Sequence, residues 1–233
     1  GEDTLSLHDA LPIFGAGASG IGASWVLAQV GAHVVLNDYK PVTLPATEEG
    51  RLVSAGVEII TGRQDESLLD GVDRIVISPG ISLDIPIVKA AQARGIDVVS
   101  EVELAYEVSK SPIVAVTGTN GKTTTTTLLT KVLEGSGKPV RVGGNIGDSL
   151  SEVAYSMPVG GFLVAELSSY QLETIKHFRP IGAIMLNITP DHLARHKTME
   201  NYIAAKERIF ENQLKSDYLV LNIDDSVVAD MEH

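Results

Sequence analysis

The sequence has 233 residues, of which 44% are hydrophobic and 21% charged, enough for two globular α/β domains. The formal net charge of −12 argues against a non-specific nucleic-acid-binding protein, and the lack of cysteine excludes disulfides and thiolate metal sites. No apolar run is long enough to cross a bilayer and no basic segment precedes an apolar one near the N-terminus, so we expect a cytoplasmic protein that is not bound to a membrane.

The first predicted strand is short, covering only Leu11–Phe14. The residues before it include a His-Asp pair, and Pro12 would remove a hydrogen bond from a central strand. Residues 4–13 also resemble an in-frame translation of a sequencing-adapter oligonucleotide, so we expect them to be non-native. Long-read sequencing of the genomic locus tests this, and the same codons there would exclude it.

A glycine motif, Gly-x-Gly-x-x-Gly, follows at residues 15–20. A helix is predicted over 21–30, then a strand over 33–37 that is closed by Asp38. This order is typical of a dinucleotide-binding βαβ unit, but the motif alone is weak. The glycines could serve tight strand–helix packing, NAD, or another phosphate-bearing nucleotide; a nucleotide-like ligand is favoured over packing alone.

The alternation of strands and helices continues to a polar break at residues 109–112, where we place the boundary between domains 1–110 and 111–233. It predicts a parallel, doubly wound sheet with a ligand crevice at the carboxyl ends of the strands, where Gly17, Asp38 and the Ser78–Gly80 turn fall. The predicted strands cover 57–60, 74–77 and 97–99, and the predicted helices cover 47–55, 85–94 and 101–108.

The second domain begins with an apolar strand that runs into a glycine loop, residues 114–124. Gly118 and Gly121 allow backbone N–H groups to turn inward, Lys122 adds a mobile charge, and Thr123 offers a hydroxyl to magnesium. Val116 stands where the general P-loop has a glycine, so the match is to the shorter pattern Gly-x-x-Gly-Lys-Thr. With strand, loop and helix in register, the stretch predicts a polyphosphate site rather than an ordinary βα turn.

Three later positions carry ionisable side chains. Glu166 ends the apolar strand predicted at 161–165 and is placed like the acid that holds a nucleotide's magnesium, the alternative being an exposed strand-end glutamate. His192, with Asp191, follows the strand predicted at 182–187, where a second metal site and a surface turn are equally compatible. Lys206 lies on a helix predicted at 199–213, and its neighbours indicate a snorkelling lysine.

Five motifs together resemble the Mur ligases in order and spacing, over residues 14–233, and most of all the members of that family that add D-glutamate. They are Gly118–Thr124, Gly144–Gly147, Glu166–Leu172, Thr189–His192 and Ala204–Lys206.

The resemblance implies a Rossmann-like domain that binds a UDP-linked substrate, followed by a P-loop ATPase-type domain. It further implies ATP-driven addition of D-glutamate to UDP-N-acetylmuramoyl-L-alanine through an acyl phosphate, a step of peptidoglycan precursor synthesis. The enzyme would be a monomer acting on small molecules with two magnesium ions, without nucleic acid or membrane.

The resemblance also implies roles for single residues. The catalytic set is Lys122, Asn145, His192 and Lys206, the last as a carbamate. The ATP-binding set is Gly118, Thr119, Asn120, Gly121, Lys122, Thr123 and Thr124. The magnesium ligands are Thr123, Glu166, His192 and Lys206. The substrate-binding set is Ala18, Ser19, Gly20, Asp38, Gly80, Asn145, Ser168, Gln171 and Arg195.

Two departures from the family pattern limit these implications. Ala194 stands where an acidic residue is expected, which puts the role of Arg195 in question, and the sequence stops at His233, inside the central domain. We therefore expect a third domain to be absent and the chain alone to lack ligase activity. Other Mur ligases, a folylpolyglutamate synthase-like ligase and an NAD-binding oxidoreductase fragment stay as alternatives.

Overall fold

The computed structural model describes residues 10–231, so the part of the non-native hypothesis that concerns residues 4–9 lies outside the described residues. The chain divides into two units after Glu101, earlier than the predicted boundary after residue 110. The reason is that helix α4 (Glu101–Val108) buries Val102 and Ala105 in the core of the second unit. The polar break at 109–112 therefore follows the first helix of that unit.

The first unit is an all-parallel sheet with strand order β3-β2-β1-β4-β5, which confirms the predicted α/β class. Strand order reverses between β1 and β4, where a crevice opens at the carboxyl ends of parallel strands. The strands are β1 (Ala10–Phe14), β2 (His33–Asp38), β3 (Glu58–Thr61), β4 (Arg74–Ile77) and β5 (Asp97–Ser100). The helices are α1 (Ala18–Gln29), α2 (Ala46–Ser54), α3 (Pro86–Ala93) and a 3-10 turn at Glu66–Leu69.

Strand β1 is central although it contains Pro12. The Ser78 N–H donates to the Phe14 carbonyl, so the backbone N–H and C=O groups of Phe14 point toward β4. Pro12 lies two residues earlier, so its backbone groups point to the same side. Pairing with β4 covers only Ile13 and Phe14, whereas pairing with β2 covers the whole strand. The missing proline N–H therefore lies just before the first residue pair of the ladder to β4, and the predicted strand is confirmed.

The second unit is also an all-parallel sheet, with strand order β10-β9-β6-β8-β7. The strands are β6 (Ile113–Thr117), β7 (Val140–Gly144), β8 (Phe162–Glu166), β9 (Gly182–Met185) and β10 (Tyr218–Leu221). The helices are α5 (Lys122–Glu134), α6 (Leu150–Ser156), α7 (Ser169–Leu172), α8 (Leu193–His196), α9 (Met199–Glu207) and α10 (Ser226–Ala229), with a 3-10 turn at Arg208–Phe210. Strand β6 lies between β8 and β9, so residues that follow all three strands meet at one edge.

The second unit contains short helices that were not predicted, and one predicted helix ends early. Helix α6 was not predicted; Ser149 caps it by accepting a hydrogen bond from the Glu152 N–H. The helix predicted at 199–213 ends at Glu207 and tightens into the 3-10 turn. Across residues 10–231, the structure contains no helix whose length and apolar character would let it span a membrane.

Candidate functional site

In the first unit, the glycine loop after β1 is held by the ends of two neighbouring strands. Gly15 has φ of +101°, and a Cβ on Gly20 would lie 1.8 Å from the Gly15 carbonyl oxygen, so helix α1 needs glycine to approach the loop. Ser78 Oγ donates to that same carbonyl at 3.0 Å. Asp38 Oδ2 accepts the Ala16 N–H at 2.9 Å. The close approach makes packing one role of the motif, whatever ligand it binds.

The predicted substrate residues of this unit come together at the carboxyl edge of the sheet. Ala18, Ser19 and Gly20 form the first turn of α1, whose N–H groups are free of helical acceptors and suit an anion. Asp38 ends β2, and its Oδ1 accepts the Lys40 N–H at 3.0 Å. Gly80 lies in the turn after β4 with open space where a side chain would stand.

In the second unit, the phosphate loop lies between β6 and α5. Gly118 and Gly121 have φ of +152° and +82°, values that favour glycine, and Gly121 is the N-cap of α5. The Lys122 ammonium donates to the carbonyls of Gly118 at 3.1 Å and Thr119 at 2.9 Å. The Lys122 side chain thus folds back onto its own loop. A bound anion would attract the ammonium away from these carbonyls.

Lys206 approaches the same loop from helix α9, and the local interpretation of a snorkelling lysine is wrong. Its side chain is 2% exposed, and its Nζ donates to the Gly118 carbonyl at 2.8 Å. The ring of Tyr202 lies 4.9 Å from the ammonium. Burial, with the nearby charge of Lys122, lowers the pKa of Lys206 to about 7. A large fraction of the amine is therefore neutral at neutral pH.

Glu166, at the end of β8, is buried rather than an exposed strand-end glutamate. Its Oε1 accepts a hydrogen bond from Asn145 Nδ2 at 2.9 Å, and the Asn145 N–H donates to the Glu166 carbonyl at 2.8 Å. Its Oε2 is buried without a hydrogen-bond partner among the described residues. An unpaired buried carboxylate oxygen is costly unless a cation or water meets it, so the site fits a magnesium ion.

Within residues 10–231, no three or more His, Asp or Glu side chains cluster as a metal site. Magnesium is commonly held by one or two carboxylates together with water and substrate phosphates. A site built on Glu166 near the phosphate loop therefore fits magnesium better than a metal that needs a full set of protein ligands.

His192 has φ of +52°, uncommon for a residue with a side chain, and is the N-cap of the short helix α8. Its ring lies 5.0 Å from the ring of Tyr170 and 6.4 Å from that of Tyr202, centroid to centroid. His192 and Lys206 thus flank one tyrosine ring. The backbone conformation of His192 agrees with a surface turn. Its contact with the same tyrosine ring as Lys206 agrees with a metal site that the two residues share, so both interpretations of His192 stand.

The other predicted substrate residues of this unit already have local partners. Ser168 and Gln171 form a capping box at the start of α7, in which each side chain accepts the other's backbone N–H. Arg195 donates to Glu173 through Nη2 at 2.5 Å and lies 4.5 Å from the Tyr170 ring. These pairs hold α7 and α8 in place, and a substrate would have to use the remaining atoms of these side chains.

Three further side chains near the site were not predicted from the sequence, and two of them, Tyr202 and Asn187, contact the loop. Tyr202 places its hydroxyl 3.1 Å from Thr119 Oγ1; its spacing of four from Lys206 on one helix was the available signal. Buried His196 lies 2.9 Å from Ser169 Oγ, and burial lowers the pKa of His196. Asn187 contacts the loop backbone, and nothing in its local sequence indicates this.

The Mur ligase middle domain matches residues 116–233, and the N-terminal domain of the type described as Mur ligase MurD-like matches residues 10–100. A UDP-N-acetylmuramoylalanine--D-glutamate ligase from Caldanaerobacter subterraneus subsp. tengcongensis is 48% identical over 92% of this chain and 48% of its own length. The protein of the same name from Thermoanaerobacter pseudethanolicus is 46% identical over 95% of this chain and 49% of its own length. The chain spans about half the length of these curated relatives.

Solved structures agree on the fold. The UDP-N-acetylmuramate:L-alanyl-gamma-D-glutamyl-meso-diaminopimelate ligase from Neisseria meningitides superposes with a TM-score of 0.64 at 20% identity, covering 95% of this chain and 74% of that one. The UDP-N-acetylmuramate-alanine ligase from Thermotoga maritima superposes with a TM-score of 0.53 at 23% identity, covering 94% of this chain and 50% of that one. With both sheets all-parallel, the phosphate loop between β6 and α5, and family models matching both units, this chain belongs to the Mur ligase family.

Proposed function

We propose that this chain carries the UDP-substrate domain and the ATP-binding part of a ligase that adds D-glutamate to UDP-N-acetylmuramoyl-L-alanine in peptidoglycan precursor synthesis. The reaction would be ADP-forming and pass through an acyl phosphate. Relatives with the name of this ligase, 45–48% identical, support the substrate assignment. Another Mur ligase remains the main alternative, because the solved structures with similar folds include other members of the family.

The observation that carries the proposal is the convergence of two lysines and one buried carboxylate at the carboxyl edge of the second sheet. Lys122 and Lys206 both donate to the Gly118 carbonyl, and Glu166 ends the strand beside β6. Cations that lie against a phosphate loop neutralise a polyphosphate, and a buried acid beside it holds the metal that accompanies the nucleotide. Neither feature is needed by an NAD-binding oxidoreductase.

In the proposed reaction, Lys122 leaves the loop carbonyls and pairs with the phosphate charge of ATP. Glu166 and Thr123 would hold magnesium, which when bound supplies positive charge against the transferred phosphoryl group. Asn145 orients the Glu166 carboxylate through its Nδ2 and, at the start of the loop after β7, would orient the substrate carboxylate. Gly121 and Thr124 would contribute backbone N–H groups to the phosphate cradle, and Gly118, Thr119 and Asn120 would shape the loop that leads into it.

Lys206 would act as a carbamate. Its neutral amine attacks CO2, forming an N–C bond and releasing a proton, and the product is an anion that can serve as a ligand to a second magnesium with His192. The low pKa of Lys206 supports this step, because only the unprotonated amine reacts. The second ion, the carbamate, a monomeric state and a cytoplasmic location stay predictions.

The test of nucleotide binding is isothermal titration of the chain with Mg-ATP. We expect Lys122→Ala to weaken binding by about tenfold or more, since a charge-assisted contact contributes about 1.5–3 kcal/mol. Lys131→Ala is the matched control, because Lys131 lies on the same helix and forms a surface ion pair with Glu134 at 2.8 Å. Absence of Mg-ATP binding to the unsubstituted chain, or equal affinity in the two variants, would contradict the proposal.

A further inference from the structure

Asn187, just beyond strand β9, holds one peptide segment of the phosphate loop from both sides. The Asn120 N–H donates to Asn187 Oδ1 at 2.8 Å, and Asn187 Nδ2 donates to the Asn120 carbonyl at 2.9 Å. The main chain adds a third contact, since the Thr119 N–H donates to the Asn187 carbonyl at 2.9 Å. A Cβ on Gly118 would lie 3.3 Å from the Asn187 nitrogen, so the loop packs directly on this residue.

These contacts decide which loop amides are available to a phosphate. A backbone N–H has one proton, and those of Thr119 and Asn120 are already given to Asn187. Helix α5 begins at Lys122, and its first i→i−4 bond runs from the Thr125 N–H to the Gly121 carbonyl. The N–H groups of residues 121–124 come before that bond and have no helical acceptor. They point out of the helix start, where an anion is favoured.

We propose that Asn187 is a positioning residue of the phosphate loop. It holds the Asn120 peptide groups away from the cradle, so that phosphate oxygens are bound by the N–H groups of residues 121–124 and not by those of Thr119 and Asn120. The part of this inference that concerns phosphate rests on the proposed ATP-binding function. The part that concerns the loop backbone does not, because it describes the chain without nucleotide.

The chain contains a matched control in the segment after α9. Asn212 lies just after the 3-10 turn and is half-buried, as Asn187 is. Its Nδ2 donates to the Lys176 carbonyl at 2.9 Å and to the Phe178 carbonyl at 3.1 Å. Asn212→Ala therefore removes two side-chain hydrogen bonds to the backbone of the same unit, at residues that do not belong to the loop.

The first experiment is amide hydrogen exchange of the nucleotide-free chain, read residue by residue by NMR. In Asn187→Ala we expect the Asn120 amide to exchange at least tenfold faster than in the unsubstituted chain. The Thr119 amide should keep its protection, since its acceptor is the main-chain carbonyl of residue 187. Asn212→Ala should leave both rates unchanged. Unaltered exchange of Asn120 in Asn187→Ala, or equal acceleration in both variants, would overturn the positioning role.

The second experiment is titration of the same variants with Mg-ATP. Asn187→Ala should bind Mg-ATP about tenfold more weakly than Asn212→Ala, about 1.4 kcal/mol, because the loop must then be ordered on binding. If the alanine variant does not fold, Asn187→Asp is the second variant. It keeps an acceptor for the Asn120 N–H, so the Asn120 amide should stay protected, and its negative charge should weaken Mg-ATP binding. Equal affinities of Asn187→Ala and Asn212→Ala would overturn the phosphate assignment. If the Asn120 amide is protected in the unsubstituted chain but Mg-ATP does not bind, the proposed function is contradicted. The role of Asn187 in positioning the loop backbone would still stand.

Discussion

Burial controls the charge of the Lys206 side chain. Its pKa is lowered from 10.5 to about 7, first by burial and then by the charge of Lys122. Between these two pH values the folded chain binds fewer protons than the unfolded chain, so the free energy of unfolding rises as the pH rises. The gain in the free energy of unfolding that comes from Lys206 is complete above pH 10.5, and it is lost as the pH falls to about 7.

We therefore expect Lys206→Met to flatten the pH dependence of stability. Urea unfolding in bicarbonate-free buffer, from about pH 7 to about pH 9, measures the free energy of unfolding at each pH. The unsubstituted chain should gain stability over this range, and Lys206→Met should gain less. Lys131→Met, at an exposed lysine, should follow the unsubstituted chain. A common slope for all three proteins would show that Lys206 stays protonated when the chain folds.

Helix α1 depends on one glycine for its position on the sheet. A Cβ at Gly20 would meet the Gly15 carbonyl oxygen at 1.8 Å, a distance that requires the helix or the loop to move. Gly17, three residues earlier in the same motif, has nothing within 4 Å of the position of a Cβ. The motif residues thus differ in function, and close packing explains Gly20 without a ligand.

Gly20→Ala should lower the free energy of unfolding by about 3 kcal/mol, the cost of overpacking against rigid backbone. Gly17→Ala should cost less than about 1 kcal/mol, the difference between alanine and glycine at an N-cap. Thermal and urea unfolding of the two variants measure this difference. Similar losses in both would mean that backbone flexibility, and not the approach of α1 to Gly15, determines the effect.

Helix α4 anchors the segment after α7 through one buried carboxylate. Glu103 accepts hydrogen bonds from the N–H groups of Lys176, His177 and Phe178, the first two at 2.7 Å. The guanidinium of Arg208 donates to the Leu172 carbonyl at the end of α7, at 3.1 Å, and to the Glu173 and Ile175 carbonyls that follow it. Two charged side chains thus satisfy backbone groups that no strand or helix pairs, and this explains why α4 folds with the second unit.

Each unit of the whole molecule has its own sheet and its own buried core. One cluster of the first unit includes Phe14, Ile75 and Val88, and the cluster of the second unit includes Leu163, Phe178 and Tyr202. Hydrophobic contacts contribute most to folding where they are dense, so we expect a substitution to act mainly on the unit that contains it.

Hydrogen exchange of two variants tests this expectation. Gly20→Ala should speed exchange across residues 10–100 and leave the core strands at 113–221 protected. Glu103→Gln, which breaks the anchor of α4 at a cost of about 3 kcal/mol, should do the reverse. Equal acceleration in both halves by either variant would mean that the chain unfolds as one cooperative unit.

Much of the fold was predictable from sequence because its signals are local. Apolar runs separated by helical patterns predicted both parallel sheets, and Gly118, Gly121 and Lys122 predicted the phosphate loop. Pro12 would weaken a central strand that is paired along its whole length, yet it lies just before the ladder to β4 begins. Helix α6 was missed because its short span lacks a clear apolar period.

Local sequence is enough to specify the α/β alternation, the glycine turns and the order of the family motifs, since each depends on residues close together in the chain. Three features of the site arise only when the chain is folded: the burial of Lys206, the pairing of Asn145 with Glu166 and the contact of Asn187 with Asn120. These properties join residues from different strands and helices, and they depend on how the sheet brings the ends of its strands together. The charge of Lys206 follows from that packing, because nothing in its own helix removes it from water.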